Sequence, residues 1–544
     1  MKKFNFKNEN NVFVILIFSL MFLIGILQVN DYGVSSDSND QRHSGFIELN
    51  HIGQKILPSI TKKLTAGKKY ISYDDEGYKE KYSGQIFNIT TGLIEIILKI
   101  KEDREKFLLR QYIYFITFFL CMIVFYKLCN QRFKNWKIAL LGVIFLYLSP
   151  RIFAYSFSDP KDIPFMSLLV FSIFFGLKFF DNINIKNGII FGFINGLVIS
   201  GVRIFGLVSP MLIYPSIIFY LIITKKVKLE KILSIVYSII VTILFTILFK
   251  PYLWDEPLEN FLNVLTYLGK FGELWQVKNL FLGKIILPEN LPWYYSLYWI
   301  TITTPITYTA LFLVGLFAFI KKFIKNTKIK FYEKEFYFDI IFLALIFGPL
   351  IGTMILKSGS FNSWRHLFFI YPYIIIFTLH GYRCLSKILI EKKNILKTQN
   401  LLIFLTIFYL IFWNIKNHPH QYAYFNFIAG KDVHKRFDVD YWGLSYAENL
   451  KYILKNDNRE RIYVKNNSMN KMLLIVKSLD KKQAKRIIYN FKERNPDYII
   501  TNYYMETEKY KKFSDDFLNE KYFIFNEIIV DGNKINTVFK KIND

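Results

Sequence analysis

Cysteine is nearly absent: Cys121, Cys129 and Cys384 are the only three in 544 residues. They cannot build a disulfide framework, and their spacing holds no structural zinc, which takes four ligands. Histidine is also scarce, at seven. His418-Pro419-His420 invites a metal reading, but no cysteine or spaced acid completes the set, so no metal ligands are assigned. Acidic residues are in the minority, 43 against 70 Lys and Arg, for a net charge of +27. On one folded face that excess would point to nucleic acid. Here much of it lies in short Lys/Arg clusters between apolar runs, the pattern that sets membrane topology, and nucleic-acid binding is set aside.

Apolar and aromatic residues are abundant, at 52% and 19%, with Phe and Tyr dominant. A soluble chain of this length has too little interior to hide them. The first apolar run, 12–29, follows Lys2, Lys3 and Lys7 and has no small-residue cleavage site after it, so it reads as an uncleaved span. Further runs lie at 109–128, 138–156, 163–180, 187–203, 206–224, 231–249, 303–320, 337–356, 366–383 and 399–416. Each approaches the roughly 20 residues that cross a bilayer, giving about eleven transmembrane helices. The pair around 187–224 is the critical one, because only Arg203 and Gly206 mark its turn.

With the N-terminus in the cytoplasm, the inner loops are Lys127–Lys137, the lysines at 225–231, Lys321–Lys334 and Arg383–Lys397. All are basic, as the positive-inside rule requires. Segments 31–107, 157–162, 250–302, 357–365 and everything after about 417 then lie outside. The apolar spacing at 46–56 and 86–100 predicts amphipathic helices on the outer leaflet. Trp254, Trp275, Trp293, Tyr294, Tyr295 and Trp299 read as an interfacial aromatic belt. The expected organisation is a membrane domain over 1–417 and a small extracytoplasmic α/β domain over 418–544. In the latter, helices are expected at 446–454 and 481–494. Strands are expected at 461–464 and 498–501, with a closing hairpin, 522–530 and 536–540, turned at Asp531-Gly532. That domain has no Gly-rich phosphate loop, metal cluster or nucleophile elbow, which makes it an accessory rather than a catalytic unit.

Ionisable residues at membrane level are site candidates, and all fall on the outer side. Asp37 closes Asp31-Tyr32-Gly33-Val34-Ser35-Ser36-Asp37 just beyond the first span. A carboxylate there can act as a general base, or cap the next helix. Arg151, Asp159, Lys161 and Asp162 crowd a proline-stiffened turn that can hold a phosphate or a divalent ion, or neutralise itself. Arg203 sits alone between two spans, and Arg365-His366 opens the tenth. Arginine's planar fork suits an anion, and His366 adds a proton carrier. The run Asp440-Tyr441-Trp442-Gly443 reads as a structural hinge. The spans lack mid-membrane charges and an obvious repeat, unlike a proton-coupled transporter.

With these residues in view, the chain resembles the GT-C superfamily of membrane glycosyltransferases, in the bacterial branch of protein O-mannosyltransferases and aminoarabinose transferases. Asp31–Asp37 looks like that family's first outer-loop motif, and Ser149-Pro150-Arg151 with Asp159-Pro160-Lys161-Asp162-Ile163-Pro164 like its second. Leu291–Tyr295, Trp364–His366 and Asp440–Ser445 resemble further segments of one subgroup. The resemblance implies sugar transfer from a polyprenyl-phosphate donor to a glycan, lipid or protein acceptor outside the plasma (inner) membrane. Asp37 would be the base, and Lys161, Arg203 and Arg365 would stabilise the departing phosphate. Asp159 or Asp162 would orient Lys161 or bind a divalent cation, the one cofactor under consideration. Relatives often carry Asp-Glu where this chain has Asp37-Ser38. The competing readings are a flippase of lipid-linked sugars and a catalytically silent binding relative.

Overall fold

A computed structural model of the chain describes residues 9–65, 72–269, 277–325, 331–355, 361–388, 393–468, 472–489, 495–504 and 521–542. The chain is a helical bundle capped at one end by a small sheet. In order, the helices are α1 (Glu9–Gln28), α2 (Ser38–Ile56), α3 (Pro58–Thr65), α4 (Ile86–Ile97), α5 (Asp103–Phe133), α6 (Trp136–Leu148), α7 (Pro150–Ser158), α8 (Asp162–Asp181), α9 (Ile185–Gly201), α10 (Val208–Ile223), α11 (Leu229–Phe249) and α12 (Pro257–Gly269). There follow α13 (Tyr295–Thr303), α14 (Ile306–Lys325), α15 (Lys334–Ile355), α16 (Tyr371–Ile388), α17 (Lys393–Lys416) and α18 (Tyr446–Asn456).

Among the described residues, nine helices are long and apolar enough to cross a membrane. The pair α6–α7, bent by 66° at Ser149-Pro150, is apolar and long enough together to make a tenth if it is one broken span. A proline is tolerated there because its missing N–H falls at the first turn of α7. Helix α9 is shorter, at 17 residues, near the lower limit of roughly 17–25 for a span. The residues at 187–224 are therefore two helices, with Arg203 in the turn between them. Helices α5, α8 and α16 are the most enclosed of the long ones, whereas α1, α14 and α17 carry exposed Leu27, Phe317, Phe404 and Phe408 on their outer faces. Wide apolar exposure of this kind fits hydrocarbon rather than water.

The short α9 is held by glycines at four-residue intervals. A Cβ at Gly188 would lie 2.6 Å from the Ser234 carbonyl oxygen, at Gly192 2.5 Å from that of Ser238, and at Gly196 2.5 Å from Phe245 Cβ. Only hydrogens at these positions let α9 and α11 touch along their length, the small-residue packing that substitutes for the hydrophobic effect in lipid.

On the site side of the bundle, α2 and α4 form an amphipathic pair. Their ends expose Ile56, Ile96 and Ile97. Their facing sides are tied by Arg42 to Glu95 at 2.5 Å and by Arg110 of α5 to the same carboxylate at 3.3 Å. A hairpin, β1 (Asn279–Phe281) and β2 (Lys284–Ile286), precedes α13. The aromatic-belt expectation is corrected in part. Trp293 is 67% exposed, but Tyr295 and Trp299 are core residues packed among Phe281, Phe425 and Phe437. Trp275 lies outside the described residues.

The terminal sheet has β3 (Ile462–Asn466), β4 (Ile487–Tyr489), β5 (Tyr498–Thr501), β6 (Tyr522–Val530) and β7 (Asn533–Lys541). Its order is β4-β3-β5-β7-β6: three parallel strands joined to an antiparallel hairpin. The expected helix over 481–494 is a single turn, Lys481–Ala484, followed by β4. Three apolar residues at Arg486-Ile487-Ile488-Tyr489 are too few to display a period, and pairing with β3 decides their state. Residues 490–494 lie outside the described ones.

A Gly192→Ala chain should fold with α9 and α11 pushed apart. A loss of about 1–3 kcal/mol is expected from overpacking, read as a lower midpoint of thermal unfolding in detergent. An unchanged midpoint would show that the helices tolerate a methyl group at this crossing.

Candidate functional site

Segments from distant parts of the chain meet at the capped end of the bundle around a cavity of about 270 Å³. Asp37, Glu80, Lys161, Arg203, Arg365 and Trp442 are among its lining residues. Asp37 stands just before α2, where the loop backbone is fixed from both sides. Gln111 of α5 donates to the carbonyls of Tyr32 and Gly33 at 3.2 Å each, and Ser36 N–H donates to the Trp442 carbonyl at 3.2 Å. The side chain of Asp37 keeps 34% of its surface open. Its Oδ2 accepts from Arg365 Nη1 at 3.0 Å and from the Trp442 indole N–H at 3.1 Å. Burial pushes the Asp37 carboxyl up, but the Arg365 guanidinium and the Trp442 N–H outweigh it and hold the group below its ordinary value.

Arg365 is the hub. It is 6% exposed, ends the turn before α16, and lies 3.7 Å from Asp162 Oδ2 as well as against Asp37. The rings of Phe361, Tyr441 and Trp442 box its guanidinium at 5.2, 5.8 and 5.1 Å. Arg203 pairs with the other oxygen of Asp162. Asp162 itself is 2% exposed and sits behind the two arginines rather than in the wall. Asp159 shapes the turn, its Oδ1 accepting from the backbone N–H of Lys161 at 2.8 Å and of Asp162 at 2.7 Å. Asp159 thereby takes up the first backbone N–H of α8.

Lys161 reaches into the cavity and meets Glu80 at 2.7 and 2.9 Å. Burial raises the Glu80 carboxyl, and Lys161, with Gln41 and Arg203, more than reverses that and leaves it low. The Glu80 loop is itself anchored. Lys250, 2% exposed at the end of α11, donates to the carbonyls of Lys81, Tyr82 and Ser83 at 3.3, 3.1 and 2.6 Å. His366 lines the cavity with its ring edge-on to Phe361, 4.6 Å between centroids.

Of the residues expected from sequence, Asp37, Lys161, Arg203, Arg365 and His366 converge on the cavity, with Asp159 and Asp162 directly behind. Arg151 does not join them. It is 2% exposed, with Nε donating to the Tyr424 carbonyl at 3.1 Å and its guanidinium between the rings of Phe425 and Trp299. The bend at Ser149-Pro150 sends it inward, away from the turn that follows α7. Glu80, Lys250 and Trp442 are the members that sequence reasoning missed. Glu80 sits in a charged stretch that looks solvated, and Trp442 was read as a hinge.

A divalent cation finds no matching donor set. Asp37, Glu80 and Asp162 each already face a fixed cation. Among the described residues no three His, Cys, Asp or Glu gather. The cavity offers two open carboxylates, Asp37 and the exposed Asp40, beside cationic groups and N–H donors, which suits an anion next to a proton acceptor.

A family model described as dolichyl-phosphate-mannose-protein mannosyltransferase matches residues 92–254, from α4 to just past α11. No curated protein matches the sequence. Among solved structures, the oligosaccharyltransferase of Archaeoglobus fulgidus in its apo form aligns at TM-score 0.51 and 12% identity, covering 96% of this chain and 70% of its own. ArnT from Cupriavidus metallidurans, bound to undecaprenyl phosphate, aligns at TM-score 0.48 and 10% identity, over 97% and 98% of the two chains. The archaeal oligosaccharyltransferase AglB, in complex with an inhibitory peptide and a dolichol-phosphate, aligns at 0.49 and 11%, over 98% and 74%. At such identities the likeness is one of fold. The family match over 92–254 agrees with the resemblance drawn from the motifs, and the likeness to the Archaeoglobus fulgidus apo structure is one of fold.

Lys250→Met should leave three loop carbonyls without their donor. A loss of about 1–3 kcal/mol is expected for unsatisfied buried groups, with faster tryptic cleavage at Lys79 and Lys81. Unaltered cleavage would show that the loop holds without its anchor.

Proposed function

We propose that this chain is a glycosyltransferase that moves a sugar from a polyprenyl-phosphate donor to an acceptor hydroxyl at the outer face of the plasma membrane, with inversion. The N-terminus is cytoplasmic in this reading and the sheet-bearing domain, over 418–544, extracytoplasmic. One observation carries the proposal: Asp37, a partly open carboxylate held by Arg365 and the Trp442 N–H, shares its cavity with Lys161, Arg203 and Arg365, delivered from three other segments. The name of the family matched over 92–254 likewise denotes transfer from a lipid-phosphate sugar.

The chemistry follows from those groups. The acceptor oxygen attacks the anomeric carbon, and its proton passes to Asp37. The bond from that carbon to the phosphate oxygen breaks, and its electron pair leaves with the polyprenyl phosphate. A phosphate is a stable anion, so no general acid is required. Arg365, Arg203 and Lys161 stabilise the charge that grows on it, in a setting that water screens weakly. When phosphate engages Arg365, Asp37 loses a partner and its basicity rises toward that of an ordinary or buried carboxylate, as the reaction requires.

Asp37→Asn should abolish transfer of radiolabelled sugar from a polyprenyl phosphate to cell-envelope acceptors, a fall of roughly 10²–10⁴ for loss of a base. Retention of undecaprenyl phosphate should persist. Undiminished turnover removes Asp37 from the mechanism. Label moved across vesicles without bond formation supports the flippase reading, and no transfer from any donor the silent one. A pH profile tests the pairing. Because Arg365 keeps the Asp37 carboxyl below its ordinary value, the base stays ionised as pH falls, and kcat/KM should decline only below the usual carboxylate range. In Arg365→Gln only the Trp442 N–H and Lys161 still oppose burial, and the decline should move to higher pH. A limb that stays put would dissociate Asp37 from the profile.

A further inference from the structure

The opposite end of the bundle holds a second, larger hollow of about 690 Å³, bounded by α14, α15 and α16, with Arg132 of α5 beneath. Its acidic groups are already matched. Arg132 Nε donates to Asp339 Oδ1 at 2.6 Å, and His380 Nε2 lies 3.0 Å from the same oxygen. Lys134 meets Glu335 at 2.6 Å, and Lys322 stands 3.9 Å from Glu333. Arg383 and Lys387 remain, four residues apart and so on one face of α16. Among the described residues neither has a carboxylate within ion-pair distance, and Arg383 lies only against the Phe133 ring at 6.0 Å. The hollow thus carries cationic charge in excess of its acids.

The rest of its wall is apolar. Gly315, Ala318 and Phe319 of α14 line it. The adjoining faces of that helix expose Phe317 at 68% and Ile320 at 45%. The groove exists because α14 and α16 touch at Gly315 and Gly381, where any Cβ would strike the partner's backbone. Above that contact the helices splay, each ending in basic residues, Lys322 and Lys325 on α14 and Lys387 on α16. A cationic rim joined to a lipid-facing apolar flank, at the level where a span ends, matches an anionic headgroup with its acyl chains attached. A soluble phosphate would use the rim and leave the flank uncovered.

We propose that this hollow binds an anionic phospholipid, its phosphate held by Arg383 and Lys387 with Lys322 at the edge, and its chains laid along α14. The site stands apart from Asp37 and does not depend on the transferase reading.

Cys384 reports on it directly. It lines the hollow and is half-buried, whereas Cys121 and Cys129 are fully enclosed. The experiment is the rate of maleimide addition to Cys384 in the purified full chain, in neutral detergent. Dihexanoylphosphatidylglycerol, dihexanoylphosphatidylcholine or inorganic phosphate is titrated in. Phosphatidylglycerol at about three times its dissociation constant should slow the reaction about fourfold, with no effect of the other two. Arg383→Gln/Lys387→Gln should react at the unprotected rate with or without lipid, and Arg383→Lys/Lys387→Arg should keep the protection. Equal protection by phosphatidylcholine, protection by phosphate alone, protection that survives the double Gln change, or none from phosphatidylglycerol would each overturn the proposal.

Discussion

A guanidinium buried where helices meet the edge of a membrane has to be neutralised on the spot, and Arg365 governs how this chain is put together. Its partners come from elsewhere: Asp37 from the loop before α2, and Asp162 from the first turn of α8. Asp162 in turn takes Arg203 from the turn before α10. Leaving any one of these charges alone would cost several kcal/mol, so the four segments are bound to one another by electrostatics as firmly as by packing. The three rings around Arg365 add Tyr441 and Trp442 from beyond the last span, which is why the terminal segment seats on the bundle at this spot. The same neutralisation that closes the fold brings three cations, Lys161, Arg203 and Arg365, into one pocket.

That closure requires the helices to come and go in a fixed parity. Each turn that contributes to the cavity must follow an even or odd crossing consistent with the others. The pair α9–α10 is where the parity could fail, since α9 is barely long enough. Its glycines let it lie tightly on α11, so this 17-residue helix packs along its length although it is short for a span. Arg203 and Lys250 then arrive at the same end as Asp37. Lys250 uses its position to hold the loop that presents Glu80, so a residue distant from the chemistry fixes one wall of the pocket.

Much of this was legible from hydropathy and charge. Long apolar runs predict the helices, nine of which among the described residues are long and apolar enough to span, or up to ten with α6–α7, against about eleven expected. The alternation in β5 and the Asp531-Gly532 turn predict the terminal strands. Asp37, Lys161, Arg203 and Arg365 could be singled out because charge at membrane level is rare enough to stand out by itself. What stayed hidden was long-range partnership. Trp442 finds Asp37 across 405 positions, a pairing no local pattern encodes, so it looked like a hinge. Glu80 sits among Lys79, Lys81 and acidic neighbours that resemble any solvated loop. Arg151 was grouped with Asp159 by proximity along the chain, and the bend at Pro150 separates them. The spacing of Gly188, Gly192 and Gly196 was present but read only as part of an apolar run.

The departure at Ser38 can now be weighed. Relatives often place a second carboxylate there, and its loss appeared to weaken the site. Ser38 is 4% exposed, and its hydroxyl pairs with that of Ser35 at 2.8 Å. It does not line the cavity. A carboxylate at that position in this chain would be buried beside a serine, without a cation, and could not reach the reacting atoms. The cavity nevertheless has other acids, Asp40 on α2 and Glu80, the latter arriving from another loop and engaged by Lys161. Its charge therefore sets the position of Lys161 rather than offering a second base or a metal ligand. With Asp37 held by Arg365 and Trp442 and Glu80 by Lys161, burial and pairing divide the acids of the proposed reaction: one carboxylate to accept a proton, the others to aim the cations.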